Sequence, residues 1–319
     1  MVLRLTACAL LAALAGVAAA QTPAIPRTPS GHPDFQGVWS TKWRTPLERQ
    51  KEADGPVVSA DKVPGLVAAL DAQLKSMGNL SPDVDFDWGP FMPAPGGGFR
   101  TSMIVEPADG KRPLTQMAKD LAPKIKADSD KAEGPEARGA TERCLHGSGA
   151  TPFAISPGNQ NRQIVETADN LVVYTEDISD LRIIRMSGES RPGAILTWNG
   201  DSIGHWDGET LVIETSRLRA EPGNPSTPPG EAPRRVTERL RFNTPDEIVY
   251  SYTIEDPQVY ASPMSVEFLM LRSSERMFEV ACHEANYSLA GILSGARAME
   301  RRAAKPELAS KVGEVKPKP

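Results

Sequence analysis

Acidic and imidazole side chains alternate along one short segment of the chain, GDSIGHWDGETLVIET at residues 200–215. Asp201, His205 and Glu214 are side chains of this segment that can exchange protons. An Asp-Gly dipeptide at 207–208 predicts a two-residue hairpin turn between two strands. In that register Asp201 lies opposite Glu214, and His205 shares their face, because side chains alternate across a strand.

Two interpretations of this hairpin follow from its alternation. In the first, Trp206, Leu211 and Ile213 pack into the core and the acidic face is solvated. In the second, the sheet closes into a barrel and the acidic face lines a ligand cavity. Asp201 and Glu214 would then be close enough to share a proton. The sequence leaves both interpretations open.

Two further polar segments, RCLHGSG and ACHEANY, each contain one cysteine and one histidine. Cys144 and Cys282 are the cysteines that follow the leader, and an oxidising compartment favours a single disulfide between them, with two buried free thiols as the alternative. Bridged Cα atoms usually lie about 5–6 Å apart. The bridge would therefore bring His146 and His283 close to each other. The alternative is a structural disulfide beside ordinary surface histidines.

These segments complete the list of candidate site residues. Glu284 joins His283 and the hairpin residues as a candidate acid or base. Arg143, His146 and Trp206 are predicted to contact a substrate.

The N-terminus predicts export. Arg4 precedes a short apolar run that ends in small residues at 18–20, which is the pattern of a cleaved signal peptide over residues 1–20. Loss of Arg4, its only charged residue, changes the formal charge from −5 to −6. The expected location is periplasmic or extracellular, with no membrane span left after cleavage. The mixed charges offer no basic face for nucleic acid.

The first half of the mature chain is irregular. Residues 21–34 are an extended lead-in, and a single domain is predicted over 35–304. Its 41–160 part is an insertion with helices predicted at about 59–77 and 114–130. Between them, the Pro- and Gly-rich segment 83–99 is predicted to be a structured loop.

This loop is a candidate lid over the site. Trp88 and Phe91 within it are predicted to contact a substrate.

Beyond residue 160 short β-rich segments follow one another with turn residues between them, and no helix separates them. This pattern predicts an antiparallel sheet, sandwich or barrel, so the fold class is mainly β. Ile248, Tyr250, Tyr252 and Ile254 are expected on one face. A C-terminal helix is predicted from residue 287, and 305–319 form a tail. The predicted strands begin at residues 162, 171, 181, 194, 202, 209, 234, 247, 265 and 276.

No motif for a metal or an organic cofactor is present. Spacings such as H-x-x-x-H and H-E-x-x-H are absent, and DVDFDWG at 83–89 lacks the glycine and glutamate of a calcium loop. The expected chemistry therefore needs no cofactor and uses carboxylates and imidazoles for acid–base catalysis or for anchoring a polar ligand.

The segment PDFQGVWS resembles the G-x-W motif of the first lipocalin strand, here Gly37, Val38 and Trp39. The resemblance implies that Trp39 closes the floor of a barrel and packs on an arginine from a late strand. A barrel followed by a C-terminal helix is also the element order of the calycins.

A broader resemblance covers most of the mature chain. The segments PDFQGVW, RCLHGSGATP, WNGDSIGHWDGETLVIET and EVACHEANYSLAGILSGAR resemble a large family of secreted bacterial proteins. That family is associated with secreted enzymes that cleave aryl ethers hydrolytically, as in lignin-derived dimers. The resemblance implies His205, Glu214, His283 and Glu284 as the site positions.

Three functional hypotheses follow. The first is an exported, cofactor-independent barrel enzyme that uses acid–base groups on a small apolar or aromatic molecule. The second is a periplasmic binding or carrier protein with the same barrel and no chemistry. The third is an envelope interaction module whose polar faces are solvated. A cavity lined by His205 with a carboxylate in reach favours the first, a cavity without a paired acid and base favours the second, and a filled barrel favours the third.

Overall fold

The computed structural model describes residues 24–76, 89–147, 150–155, 161–178, 181–188, 195–219, 234–284 and 286–304. The strands within them are β1 (Gly37–Ser40), β2 (Val57–Val58), β3 (Phe99–Arg100), β4 (Ile104–Glu106), β5 (Asn161–Glu166), β6 (Asn170–Thr175), β7 (Leu181–Arg185), β8 (Asp201–Asp207), β9 (Thr210–Ser216), β10 (Arg235–Thr244), β11 (Glu247–Glu255) and β12 (Met264–Ser273). The helices are α1 (Val63–Ser76), α2 (Gln116–Lys131) and α3 (Tyr287–Ala304), and short 3-10 turns cover Ala60–Lys62 and Pro135–Ala137.

The sheet closes on itself. Its strand order is β1-β5-β6-β7-β8-β9-β10-β11-β12, and β1 pairs with both β5 and β12. Strand β4 adds to β12 outside the closed ring, and β2 pairs with β3 in a separate ribbon. The predicted mainly β barrel with a C-terminal helix is therefore confirmed, and its architecture is lipocalin-like.

One strand pair departs from the antiparallel prediction. Strands β7 and β8 are parallel, with Ile184 opposite Ser202. Where a strand was predicted from residue 194, the described residues 195–200 form none, and Thr197 makes an isolated bridge to Leu218. Strand β8 pairs directly with β7 and runs in the same direction. The barrel is therefore mixed.

The barrel floor is an aromatic group, which we call the floor cluster: Phe35, Trp39, Trp206 and Phe242. Trp39 is fully buried and donates its indole N–H to the Phe35 carbonyl oxygen at 2.9 Å. The guanidinium of Arg272, on the last barrel strand, lies 4.4 Å from the Trp39 ring centre. This is the contact that the lipocalin resemblance implies.

A glycine makes room for that arginine. Gly37 has φ +139°, and a Cβ there would lie 2.8 Å from Nη1 of Arg272. A larger residue at 37 would be strained and would also push Arg272 away from the tryptophan.

Both helices predicted in the insertion form, as α1 and α2. Helix α1 buries Leu66 against Val58 and Phe91 in a small cluster separate from the barrel core. Helix α2 begins after Thr115, whose hydroxyl accepts the Ala118 N–H at 3.1 Å and so caps the helix.

The C-terminal region differs in part from its prediction. Helix α3 forms, but none of its residues is fully buried. The strand predicted from residue 276 is irregular chain. Arg297 donates to the carbonyl oxygens of Ala132 and Glu133, so polar contacts attach α3 to the segment after α2.

Candidate functional site

The acidic face of the β8–β9 hairpin lies on the outside of the barrel. His205 and Glu214 are exposed, whereas Leu211 and Ile213 are fully buried. The larger apolar area belongs to the Leu211 face, so burying that face is the more favourable choice. The interpretation that Asp201, His205 and Glu214 line the barrel cavity is therefore wrong, although their predicted common face is correct.

The predicted hairpin register is wrong by two residues. Asp207 pairs with Thr210, so Gly208 and the residue after it form the turn, and Gly208 adopts φ +60°. Glycine at the first turn position suits a hairpin whose loop begins there. As a result, Glu214 lies opposite Ile203 and not opposite Asp201.

Asp201 has a different partner from the one predicted. Its carboxylate accepts from Nη2 of Arg185 at 2.9 Å, and the two half-buried side chains form an ion pair on the outer surface. Asp201 and Glu214 are not cross-strand neighbours, so the prediction that they share a proton is wrong.

The predicted disulfide is present. Cys144 and Cys282 are bonded, with their Cα atoms 5.7 Å apart. The two histidines beside them face different surroundings. His146 is buried, with its ring centre 5.0 Å from that of Trp198, whereas His283 is exposed. The disulfide therefore joins the two segments without placing both imidazoles in one buried site.

The other predicted contacts are dispersed. Glu284 is exposed, and Arg143 is half-buried in the turn before the disulfide. Trp206 is half-buried in the floor cluster, where its ring stacks on His32 at 4.5 Å and on Phe35 at 5.9 Å. No common site gathers these side chains.

The two candidate contacts in the 83–99 loop have different outcomes. Trp88 lies outside the described residues, so its role stays a prediction. Phe91 is buried against Leu66 in the α1 cluster, outside the barrel. A substrate contact at Phe91 would require that cluster to open.

The inner face of the same barrel carries a set of polar side chains that the sequence did not identify. We call it the polar layer: Arg162, Arg182, Ser202, Thr215, Glu238 and Tyr250. Each is buried, and Glu238 has 0% of its surface exposed.

Its centre is an ion pair between Arg182 and Glu238, joined by Nη1 and Oε1 at 2.8 Å. Arg182 also donates to the hydroxyls of Ser202, at 3.0 Å, and Thr215, at 2.8 Å.

A phenol completes the network. The Tyr250 hydroxyl donates to Oε1 of Glu238 at 2.6 Å and accepts the Phe153 backbone N–H at 3.0 Å. Burial and then the nearby Glu238 charge raise the pKa of Tyr250 well above its usual value. Tyr250 therefore stays protonated and acts as a hydrogen-bond donor to the carboxylate.

A short segment places one buried ring, that of Phe153, against this layer. We call residues 150–155 the plug. The guanidinium carbons of Arg162 and Arg182 lie 5.3 Å and 5.4 Å from the centre of the Phe153 ring. The same ring centre is 5.2 Å from that of the Tyr250 ring. These distances allow cation–π contacts on a ring that is only 1% exposed.

Backbone atoms of the plug complete its hydrogen bonding. Arg162 donates to the carbonyl oxygen of Ala154 and, at 2.7 Å, to the Thr41 hydroxyl. Thr151 donates its hydroxyl to the Asn199 carbonyl oxygen at 2.9 Å. The plug thus presents an aromatic ring, one N–H donor and one carbonyl acceptor to the polar layer.

A second unusual carboxyl group lies at the floor end. Glu166, at the end of β5, is half-buried and has a pKa raised to about 7. Desolvation is the main cause, the Asp34 charge adds to it, and a hydrogen bond from the Phe35 backbone opposes it. Among the described residues its buried Oε2 has no hydrogen-bond partner.

One signal for the polar layer was present in the sequence. Val236, Glu238 and Leu240 alternate on one face of β10, so a carboxylate occupies an apolar position of the strand pattern. For β7 the pattern is ambiguous, because Leu181 and Ile183 compete with Arg182 for the inside. Phe153 carries no local signal, since its partner Tyr250 is 97 residues away.

The described part of the chain contains neither a cluster of metal ligands nor a membrane-spanning helix. No three His, Cys, Asp or Glu side chains in it converge as metal ligands would. No helix within it is long and apolar enough to cross a membrane. Comparison of the whole sequence with protein-family models, with curated proteins and with solved structures finds no match.

Proposed function

We propose that the protein is an exported barrel that binds a small aromatic molecule at the polar layer, in the position that Phe153 occupies. The observation that carries this proposal is the environment of the Phe153 ring, which contacts Arg162, Arg182 and Tyr250 at one time. Export is supported by the predicted signal peptide, which lies outside the described residues, and by the disulfide.

The hydrogen bonds of the plug define the ligand more closely. A ring with an attached hydroxyl could donate to the Tyr250 oxygen as the Phe153 N–H does. A neighbouring ether or carbonyl oxygen could accept from Arg162 as the Ala154 carbonyl does. An oxygenated aromatic molecule therefore reproduces the contacts of the plug, and a plain hydrocarbon reproduces only those of the ring.

Removal of the Phe153 ring tests this binding mode. In the wild-type protein a ligand must first displace the plug, which lowers its apparent affinity. Phe153→Ala should therefore bind benzyl alcohol and 2-phenoxyethanol at least about tenfold more tightly than wild type does. Isothermal titration calorimetry of the mature protein measures this difference.

A second cavity variant separates the proposed site from an ordinary cavity. Phe35→Ala removes a fully buried ring of the floor cluster, whose ring neighbours are Trp206 and Phe242. Any apolar cavity of this size can bind benzene. Benzene should bind both variants to a similar extent, whereas the oxygenated ligands should prefer Phe153→Ala. Equal preference for both variants would contradict the proposal.

Hydrolysis of an aryl ether is a second candidate function, favoured by the direct hydrogen bond between Tyr250 and Glu238. Water would be added across the C–O bond, with its hydroxyl going to carbon and a proton going to the departing phenolate. Glu238 would take the proton from water while Tyr250 gives its own to the phenolate. Transfer from Glu238 to Tyr250 along their hydrogen bond would then restore both groups.

Paired variants test this reaction against the residues that the family resemblance implies. If the polar layer transfers protons, Tyr250→Phe should lower turnover of an aryl ether by roughly 10²-fold or more. His205→Ala, on the outer surface, should then have a much smaller effect. Circular dichroism checks that both variants fold. A complete loss of turnover in His205→Ala, with turnover preserved in Tyr250→Phe, would show that the reaction takes place on the outer face.

A further inference from the structure

Thr175, at the end of β6, has a buried hydroxyl that takes no part in the polar network of the barrel. The residue is 1% exposed, and within the part of the chain that the structure describes its Oγ1 has no hydrogen-bond partner. Burial of a hydroxyl without a partner lowers stability, because the group has given up its hydrogen bonds to water. Such a group in the interior of a barrel therefore calls for an explanation.

The strand register places Thr175 beside one arginine of the polar layer. Thr175 lies directly opposite Arg162 on β5, so the two side chains point to the same face of the sheet. Their Cβ atoms are expected to be about 4.5–5.5 Å apart. Because Arg162 is on the inner face of the barrel, Thr175 is on the inner face as well.

The second arginine lies on the other side of β6. Val173, two residues before Thr175, is opposite Arg182 on β7. Strand β6 therefore separates the two arginines whose guanidinium carbons lie 5.3 Å and 5.4 Å from the centre of the Phe153 ring. The inner face of β6 is the wall between these two cation contacts. Thr175 is the polar member of that wall, and Leu171 and Val173 are its apolar members.

The plug does not satisfy the Thr175 hydroxyl. Its Phe153 N–H is donated to the Tyr250 oxygen, and its Ala154 carbonyl oxygen accepts from Arg162. The ring that the plug places against the arginines contains only carbon and hydrogen. A ring of the same size with an oxygen substituent can supply the hydrogen-bond partner that phenylalanine cannot.

We propose that Thr175 is a specificity-determining residue of the ligand site and donates a hydrogen bond to a second oxygen substituent on the aromatic ring. This inference rests on the proposed function, because it requires the ligand to take the position of Phe153. The preferred ligand is then an aromatic ring with two oxygen substituents. One replaces the backbone contacts of the plug, and the other faces β6. A methoxy group suits the second place, because its oxygen only accepts and a threonine hydroxyl can donate.

Binding of benzyl alcohols to Phe153→Ala tests the proposal, because this variant lacks the ring of the plug. At least one of the three methoxybenzyl alcohol isomers should bind about threefold to tenfold more tightly than benzyl alcohol, as expected for one added neutral hydrogen bond. Adding Thr175→Val should remove this gain and leave the affinity for benzyl alcohol within about twofold. Adding Thr175→Ser, which keeps the hydroxyl, should preserve the gain. Isothermal titration calorimetry measures all three variants.

Thermal unfolding without ligand tests the premise separately. Thr215 is an inward threonine with a partner, since Arg182 donates to its hydroxyl at 2.8 Å. Thr215→Val should lower Tm by roughly 2–4 °C, as expected for the loss of a buried hydrogen bond. Thr175→Val should leave Tm unchanged or raise it, because no protein hydrogen bond is lost. Thr237→Val, on the outward face of β10, is the control for the substitution itself.

Three outcomes would overturn the inference while the proposed function stands. They are no gain from any methoxy isomer, an equal gain with and without Thr175→Val, and a fall in Tm for Thr175→Val as large as that for Thr215→Val. In each case benzyl alcohol could still prefer Phe153→Ala to Phe35→Ala. Loss of that preference would instead overturn the proposed function and this inference together.

Discussion

Strands β8 to β10 carry polar groups on both faces, and the two faces behave differently. Outside, His205 and Glu214 are exposed to solvent. Inside, Glu238 is fully buried and is bonded to Arg182 and to Tyr250. Glu214 and Glu238 are the same residue type, but Glu214 is exposed to water, whereas Glu238 is buried and hydrogen-bonded to fixed partners.

This difference shows what burial adds to a titratable group. An exposed carboxylate is screened by water and contributes little to stability. A buried carboxylate interacts strongly with its neighbours, so its removal leaves a charge without compensation. The inner face is therefore the place where this barrel can orient a ligand or hold a proton, whereas the outer face is expected to tolerate change.

The largest effect on stability is expected from breaking the inner ion pair between Arg182 and Glu238. Glu238→Gln leaves the Arg182 charge buried without its counter-charge and should lower the free energy of unfolding by about 3–5 kcal/mol. Glu214→Gln makes the same chemical change on the outer face and should alter it by less than about 0.5 kcal/mol. Urea unfolding at pH 7 with the disulfide intact measures both. Similar losses in the two variants would contradict the contrast between the faces.

A smaller effect on stability is expected at Glu166, whose half-buried side chain is intermediate between the exposed Glu214 and the buried Glu238. Burial raises its pKa to about 7 in the folded protein, against an ordinary value of 4.5, so folding favours its protonated form. Its contribution to stability is therefore fully present below about pH 4.5 and is lost as the pH rises through 7. Because the side chain is only half-buried, the loss should be on the order of 1 kcal/mol.

The Glu166→Gln variant should remove this part of the pH dependence. It should gain stability relative to wild type between pH 5 and pH 8, as measured by urea unfolding at a series of pH values. The exposed Glu214→Gln variant is the control and should follow the wild-type curve. An unchanged slope in Glu166→Gln would show that this carboxyl group is not held in its neutral form.

The alternation of residues allowed part of this arrangement to be predicted. The common face of Asp201, His205 and Glu214 follows from the period of two in a strand, and it is correct. Whether this face points into the barrel or to solvent depends on the opposite face, where Leu211 is buried once the sheet closes. The predicted strand register of the hairpin is wrong because the turn begins at Gly208, one residue later than predicted.

The site itself was harder to predict for a physical reason. Its members come from distant strands, and their spacing along the chain carries no pattern. Glu238 could have been suspected from its position between Val236 and Leu240. The plug could not, because Phe153 is defined by contacts with Arg162 and Tyr250 that exist only after the barrel closes.

The most direct test of the central claim observes the plug while a ligand binds to the wild-type barrel. A 4-fluorophenylalanine at position 153 reports whether the ring leaves the polar layer, and the same label at Phe278, which is 67% exposed, gives the signal of a solvated ring. On titration with 2-phenoxyethanol, the fluorine resonance of residue 153 should move towards that reference in proportion to the bound fraction. Calorimetric saturation of the protein with no change in the resonance of residue 153 would contradict the claim that the ligand takes the position of Phe153.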